Sequence, residues 1–79
     1  MAKKNAKRTF KEMVNLCYNE EDFPQLHSEI LSLEHETKKN KEYEIAMQQL
    51  IDIIPVFSED FPLEVFSEIE RLYAEYLED

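Results

Sequence analysis

There is no glycine and no tryptophan in this chain of 79 residues, and there is one cysteine. An average composition would hold about 7% glycine. Without it, a phosphate-cradling loop, a dinucleotide fingerprint and a nucleophile elbow are all excluded, because each needs a backbone without Cβ at fixed positions. Two-residue hairpin turns lose their best residue. No helix can end on a left-handed glycine, so Asn19, Asn40 and Pro55 are expected to punctuate the chain. Cys17 alone forms no intrachain disulfide. Secreted domains of this size usually need such staples, so a reducing, cytoplasmic compartment is expected. Long apolar runs are missing too. The richest stretch, Ile45 to Phe57, holds Asp52, two glutamines and Pro55 within 13 residues, whereas a membrane span needs about 20 apolar ones. The lysine-rich start is not followed by an unbroken apolar segment, so no signal peptide is read.

What is present is charge. Eighteen acids face nine bases, a net −9. Hydrophobic residues reach 43%, a globular share that argues against a disordered acidic tail, and the length allows one domain. Residues 1–11 contain Lys3, Lys4, Lys7, Arg8 and Lys11 and no acid, while all 18 acids follow against four bases. An acidic body with a short basic arm repels nucleic acid and anionic membrane and steers toward basic partners. Lysines in a first helical turn oppose the helix dipole. Residues 1–6 are therefore expected as a flexible basic arm and 7–79 as a single helical domain.

Apolar spacing predicts an all-α fold: a compact bundle of three or four helices, at about 5–18, 23–36, 41–54 and 62–77. Phe10, Met13, Val14 and Cys17 mark the first segment. Leu26, Ile30 and Leu33 mark the second, with Asp22 as its expected N-cap, Gln25 completing a capping box and Pro24 in the first turn. Thr37 to Asn40 reads as a polar connector, with Lys38 and Lys39 at the negative end of the second helix. The third segment is apolar nearly all round and is expected to be the most buried, with Pro55 ending or kinking it. The fourth has the clearest period. Val65, Phe66, Ile69, Leu72, Tyr73, Tyr76 and Leu77 share one face, and Arg71 is spaced to pair with Glu68 and Glu75.

Glu-Asp-Phe-Pro occurs twice, at residues 21–24 and 59–62, followed by Ser28-Glu29-Ile30 and Ser67-Glu68-Ile69. Lys3-Lys4-Asn5 is echoed by Lys38-Lys39-Asn40. The echo fits two repeated helical hairpins. It also fits one good helix-starting word used twice, which is the simpler reading.

No catalytic constellation, metal site or cofactor is read from the residues. His27 and His35 lie two turns apart on one helix, too far for shared ligation. Cys17 sits on an apolar stripe, where core packing is the default. The functional expectation is a small acidic inhibitor or adaptor that occupies a basic surface of another protein. Immunity proteins, antitoxins and phage-encoded blockers of restriction or defence work in this way, in the strong form by mimicking nucleic acid. The carboxylates proposed for that contact are Glu59, Asp60, Glu64, Glu68 and Glu75, with Glu20, Glu21 and Asp22 as a second cluster. Surplus apolar surface on the fourth helix predicts a homodimer through Val65, Phe66, Ile69, Leu72, Tyr73 and Tyr76. No membrane contact and no direct nucleic-acid binding are expected. The alternatives are a nucleic-acid-associated regulator using the basic arm, or a structural subunit of a larger complex.

Overall fold

A computed structural model describes residues 5–78. They form four helices: α1 (Ala6–Tyr18), α2 (Pro24–Asn40), α3 (Tyr43–Phe57) and α4 (Leu63–Glu78). No strand occurs among the described residues. α1 and α3 pack together at the centre, α2 covers α3, and α4 covers α1 and reaches α3, so α2 and α4 lie on opposite flanks. The Cα trace spans 39 × 28 × 18 Å. Its thinnest dimension holds two layers of helix at about 10 Å each, and no helix is enclosed on every side.

That thinness corrects one expectation. α3 buries Ala46, Met47, Leu50 and Ile54, but its outer face leaves Ile45, Val56 and Phe57 exposed. The core is completed by Phe10, Met13, Val14 and Cys17 from α1, Leu26 and Ile30 from α2, Phe61 from the loop, and Ile69 and Tyr76 from α4. No helix of the described residues is long and apolar enough to cross a membrane.

The helix ends show how the chain manages without glycine. Asn5 caps α1, its Oδ1 accepting from the N–H groups of Lys7 at 3.0 Å and Arg8 at 3.3 Å. Helix therefore begins at Ala6, and Lys7, Arg8 and Lys11 belong to α1 rather than to an arm. Lys3 and Lys4 lie outside the described residues. Asn19 closes α1 as expected, its N–H donating to Asn15. α2 runs one turn further than the sequence suggested and absorbs Thr37 to Asn40. It stops because Lys41, not glycine, takes the left-handed conformation at φ 60°, and Asn40 Oδ1 accepts from the Glu42 N–H at 2.9 Å. Asp22 is not the N-cap of α2. Phe23 holds that position without a side-chain cap, because its ring is drawn into a contact with Phe61. α3 passes through Pro55 and ends at Ser58. Proline forfeits its own bond and its ring crowds the carbonyl of the preceding turn, yet Ile54, fully buried, keeps the segment on the core. Ser58 is the true stop: extended, its N–H and Oγ both donate to the Ile54 carbonyl, at 3.0 and 2.9 Å.

Candidate functional site

The two Glu-Asp-Phe-Pro words meet. The rings of Phe23 and Phe61 lie 5.4 Å apart at an interplanar angle of 50°, within the range of a favourable aromatic pair. Phe61 is buried, and the N–H of Phe61 donates to the Ser58 carbonyl at 3.2 Å. The contact joins the α1–α2 loop to the α3–α4 loop. It brings Glu20, Glu21 and Asp22 to the same end of the bundle as Glu59 and Asp60. All of these except the half-buried Glu20 are exposed. Glu64, in the first turn of α4, extends the patch and complements the positive helix N-terminus. Two short sequence clusters thus become one acidic end.

Glu68 and Glu75 belong to a different arrangement. Arg71 Nε donates to Glu68 Oε1 at 2.8 Å and its guanidinium also pairs with Glu75. The hydrogen bond from Arg71 holds the Glu68 carboxyl below its ordinary value. With their charge partly neutralised by Arg71, these two acids present less negative field than the loop carboxylates do.

Two of the six residues expected in a dimer surface on α4 lie in the core. Ile69 is fully buried and Tyr76 is nearly so. Val65, Phe66, Leu72 and Tyr73 pack partly against the core. Ile69 and Tyr76 are therefore core residues, with the Tyr76 phenol pushed up first by burial and then by its hydrogen bond to Glu44. The large apolar side chains left exposed are Leu31, Ile45, Val56, Phe57, Leu63 and Leu77. The stripe is wide because α4 packs on both α1 and α3.

At the opposite end the bases gather. α1 and α2 meet near the acidic end, where Tyr18 and His27 stack edge-on at 5.1 Å and His27 Nε2 donates to the Cys17 carbonyl at 3.1 Å. The Tyr18 phenol donates to Glu34 at 2.7 Å. Below this a groove of about 940 Å³ opens between the two helices, and Lys7, Lys11, Lys38 and Lys39 line it. Phe10 and Tyr43, with ring centroids 5.9 Å apart, lie at its base. The lysine pairs are distant in sequence. The antiparallel course of α1 and α2 is what joins them.

Burial pushes the Cys17 thiol up to about 12, so it stays protonated at neutral pH. Among the described residues no three His, Cys, Asp or Glu side chains converge to hold a metal ion. No protein family model matches this chain, and no curated protein or solved structure shows significant similarity to it.

Proposed function

We propose that this chain is a small protein-binding inhibitor or adaptor whose acidic end occupies a basic surface of a target protein, within the cytoplasm. One observation carries the reading: the Phe23–Phe61 contact gathers the carboxylates of two separate loops at one end of a short-looped helical bundle. Like charges brought together this way oppose folding slightly, and the cost is offset where the cluster meets a cationic partner. Exposed carboxylates of one sign raise the association rate with a basic groove, including grooves built for nucleic acid, and reject acidic competitors. Immunity, antitoxin and anti-restriction roles are the classes that use such a surface. The contact residues are Glu20, Glu21, Asp22, Glu59, Asp60 and Glu64, and the Arg71-paired Glu68 and Glu75 have a lesser part.

The second reading, a nucleic-acid-associated regulator, draws on the four lysines of the groove. Glu34 and Glu36 line the same groove, and the net charge of −9 repels phosphate at longer range. The test is affinity capture from source-cell extract with three baits: the intact chain, Glu21→Lys/Asp22→Lys/Glu59→Lys/Asp60→Lys, and a control reversing Glu70 and Glu78. A basic protein held by the intact chain and by the control, and lost with the four-fold reversal, is the expected result. The same proteins on all three baits, or capture that nuclease treatment abolishes, would refute it.

A further inference from the structure

The acidic end and the basic groove are complementary in more than charge. The groove has a cationic rim on both walls, with Lys7 and Lys11 one turn apart on α1 and Lys38 and Lys39 at the end of α2. Leu31, 64% exposed, lies on its α2 wall, and Tyr43 stands over Phe10 at its base. The acidic end carries an apolar knob. Leu63 is 78% exposed, directly after Phe61-Pro62, with Glu59, Asp60 and Glu64 as its sequence neighbours. Val56, 73% exposed, lies in the last turn of α3. A leucine with carboxylates beside it in sequence matches a partly apolar groove in which four lysines outnumber Glu34 and Glu36.

We infer that the acidic end of one copy docks in the basic groove of a second copy, so that this chain associates head to tail. The two features sit at opposite ends of the bundle, because the loops that carry the acids open α2 and α4 while the groove is built from the start of α1 and the end of α2. One copy cannot fill its own groove. Such a contact is heterologous and leaves one acidic end and one groove free, so it gives a series of oligomers or a closed ring rather than a twofold dimer. Nucleic acid is the poorer occupant. The Phe10 ring is only 3% exposed and offers no stacking platform; Glu34 and Glu36 face either occupant alike, but a phosphate backbone brings no apolar group to set against Leu31. The inference shares the acidic end with the proposed function, and self-association would compete with a target for it. It is therefore tested on the purified chain with no target present, and its outcome stands apart from the capture experiment.

The experiment is sedimentation velocity over a concentration series, at low and physiological salt. Two full-length variants are compared, Lys38→Glu/Lys39→Glu in the groove and Asp60→Lys/Leu63→Ser at the acidic end, all at exposed positions. The average mass of the intact chain is expected to rise above 9.5 kDa with concentration. Each variant alone should lose at least about tenfold in association, since like charges at a contact cost several kcal/mol and about 1.4 kcal/mol is tenfold. Mixed in equal amounts they should form one species of twice the monomer mass, because one still offers an acidic end and the other a groove. Circular dichroism confirms folding, and Lys7→Glu/Lys11→Glu replaces the groove variant if that one unfolds. An intact chain that stays monomeric, variants that associate like it, a mixture that stays monomeric, or assembly that requires added nucleic acid would each overturn the inference.

Discussion

Replacing Phe61 by alanine probes the joint on which the acidic end depends. The side chain is 6% exposed, and truncating a buried phenylalanine typically costs about 3–5 kcal/mol. A loop site relaxes better than a helix interior, so about 3 kcal/mol is expected here. Against a total of roughly 4–12 kcal/mol for a domain of this length, that is a large share. With a urea slope near 1 kcal/mol per molar for a small domain, the unfolding midpoint falls by about 3 M. Phe23 is only half-buried, and Phe23→Ala should cost about 1 kcal/mol. The two losses should not add. Once either ring is gone the other has no aromatic partner, so the cycle should show a coupling of about 0.5–1.5 kcal/mol. Urea unfolding followed by far-ultraviolet circular dichroism gives all four corners of the cycle. A Phe61→Ala midpoint indistinguishable from the parent, or strictly additive losses, would show that the two loops are not joined through these rings.

Ile69→Glu should unfold the chain at neutral pH rather than dissociate an oligomer, since it places an unpaired carboxylate where the parent side chain is fully buried; a folded far-ultraviolet spectrum would contradict this. Lys41→Gly should stabilise by about 0.5–1 kcal/mol, because the left-handed conformation at φ 60° strains any residue with a Cβ; a lower urea midpoint would contradict it. Cys17 and Tyr18 both hold their protons more tightly folded than unfolded, Cys17 at about 12 against 9.0 and Tyr18 raised by burial and by Glu34. Their contribution is whole below the unfolded values and is lost as pH rises through the folded ones, at up to about 1.4 kcal/mol per pH unit for the buried Cys17 and less for the partly exposed, solvent-screened Tyr18. Stability should therefore fall above pH 9, and Cys17→Ala should move the onset up toward the tyrosine range; a flat alkaline profile would exclude both.

The helices were legible because their apolar spacing is strong and the connectors are short. The ends were less so, for reasons particular to each residue. Asp22 is a good cap by type, yet Phe23 takes the position because its ring is pulled onto Phe61. Pro55 reads as a stop or a kink, and the burial of Ile54 carries the helix on to Phe57. Lys41 occupies a conformation that no sequence rule assigns to lysine. The breadth of apolar faces on α3 and α4 was visible, but which side meets the core was not. That depends on a two-layer packing, which exposes Ile45 and buries Ile69. The carboxylate clusters were visible as two words, and only the meeting of Phe23 and Phe61 makes them one end. The groove stayed hidden because its lysines come from residues 7 and 11 and residues 38 and 39, which neither period nor proximity connects.

The claim that matters most is that both acidic loops act together on one basic partner. Its most direct measurement is the affinity of the captured partner across a salt series, for the intact chain, for Glu21→Lys/Asp22→Lys and for Glu59→Lys/Asp60→Lys. Affinity should fall with salt for the intact chain, and reversing either loop should weaken binding and flatten that dependence. An affinity that ignores salt and survives reversal of both loops would contradict it.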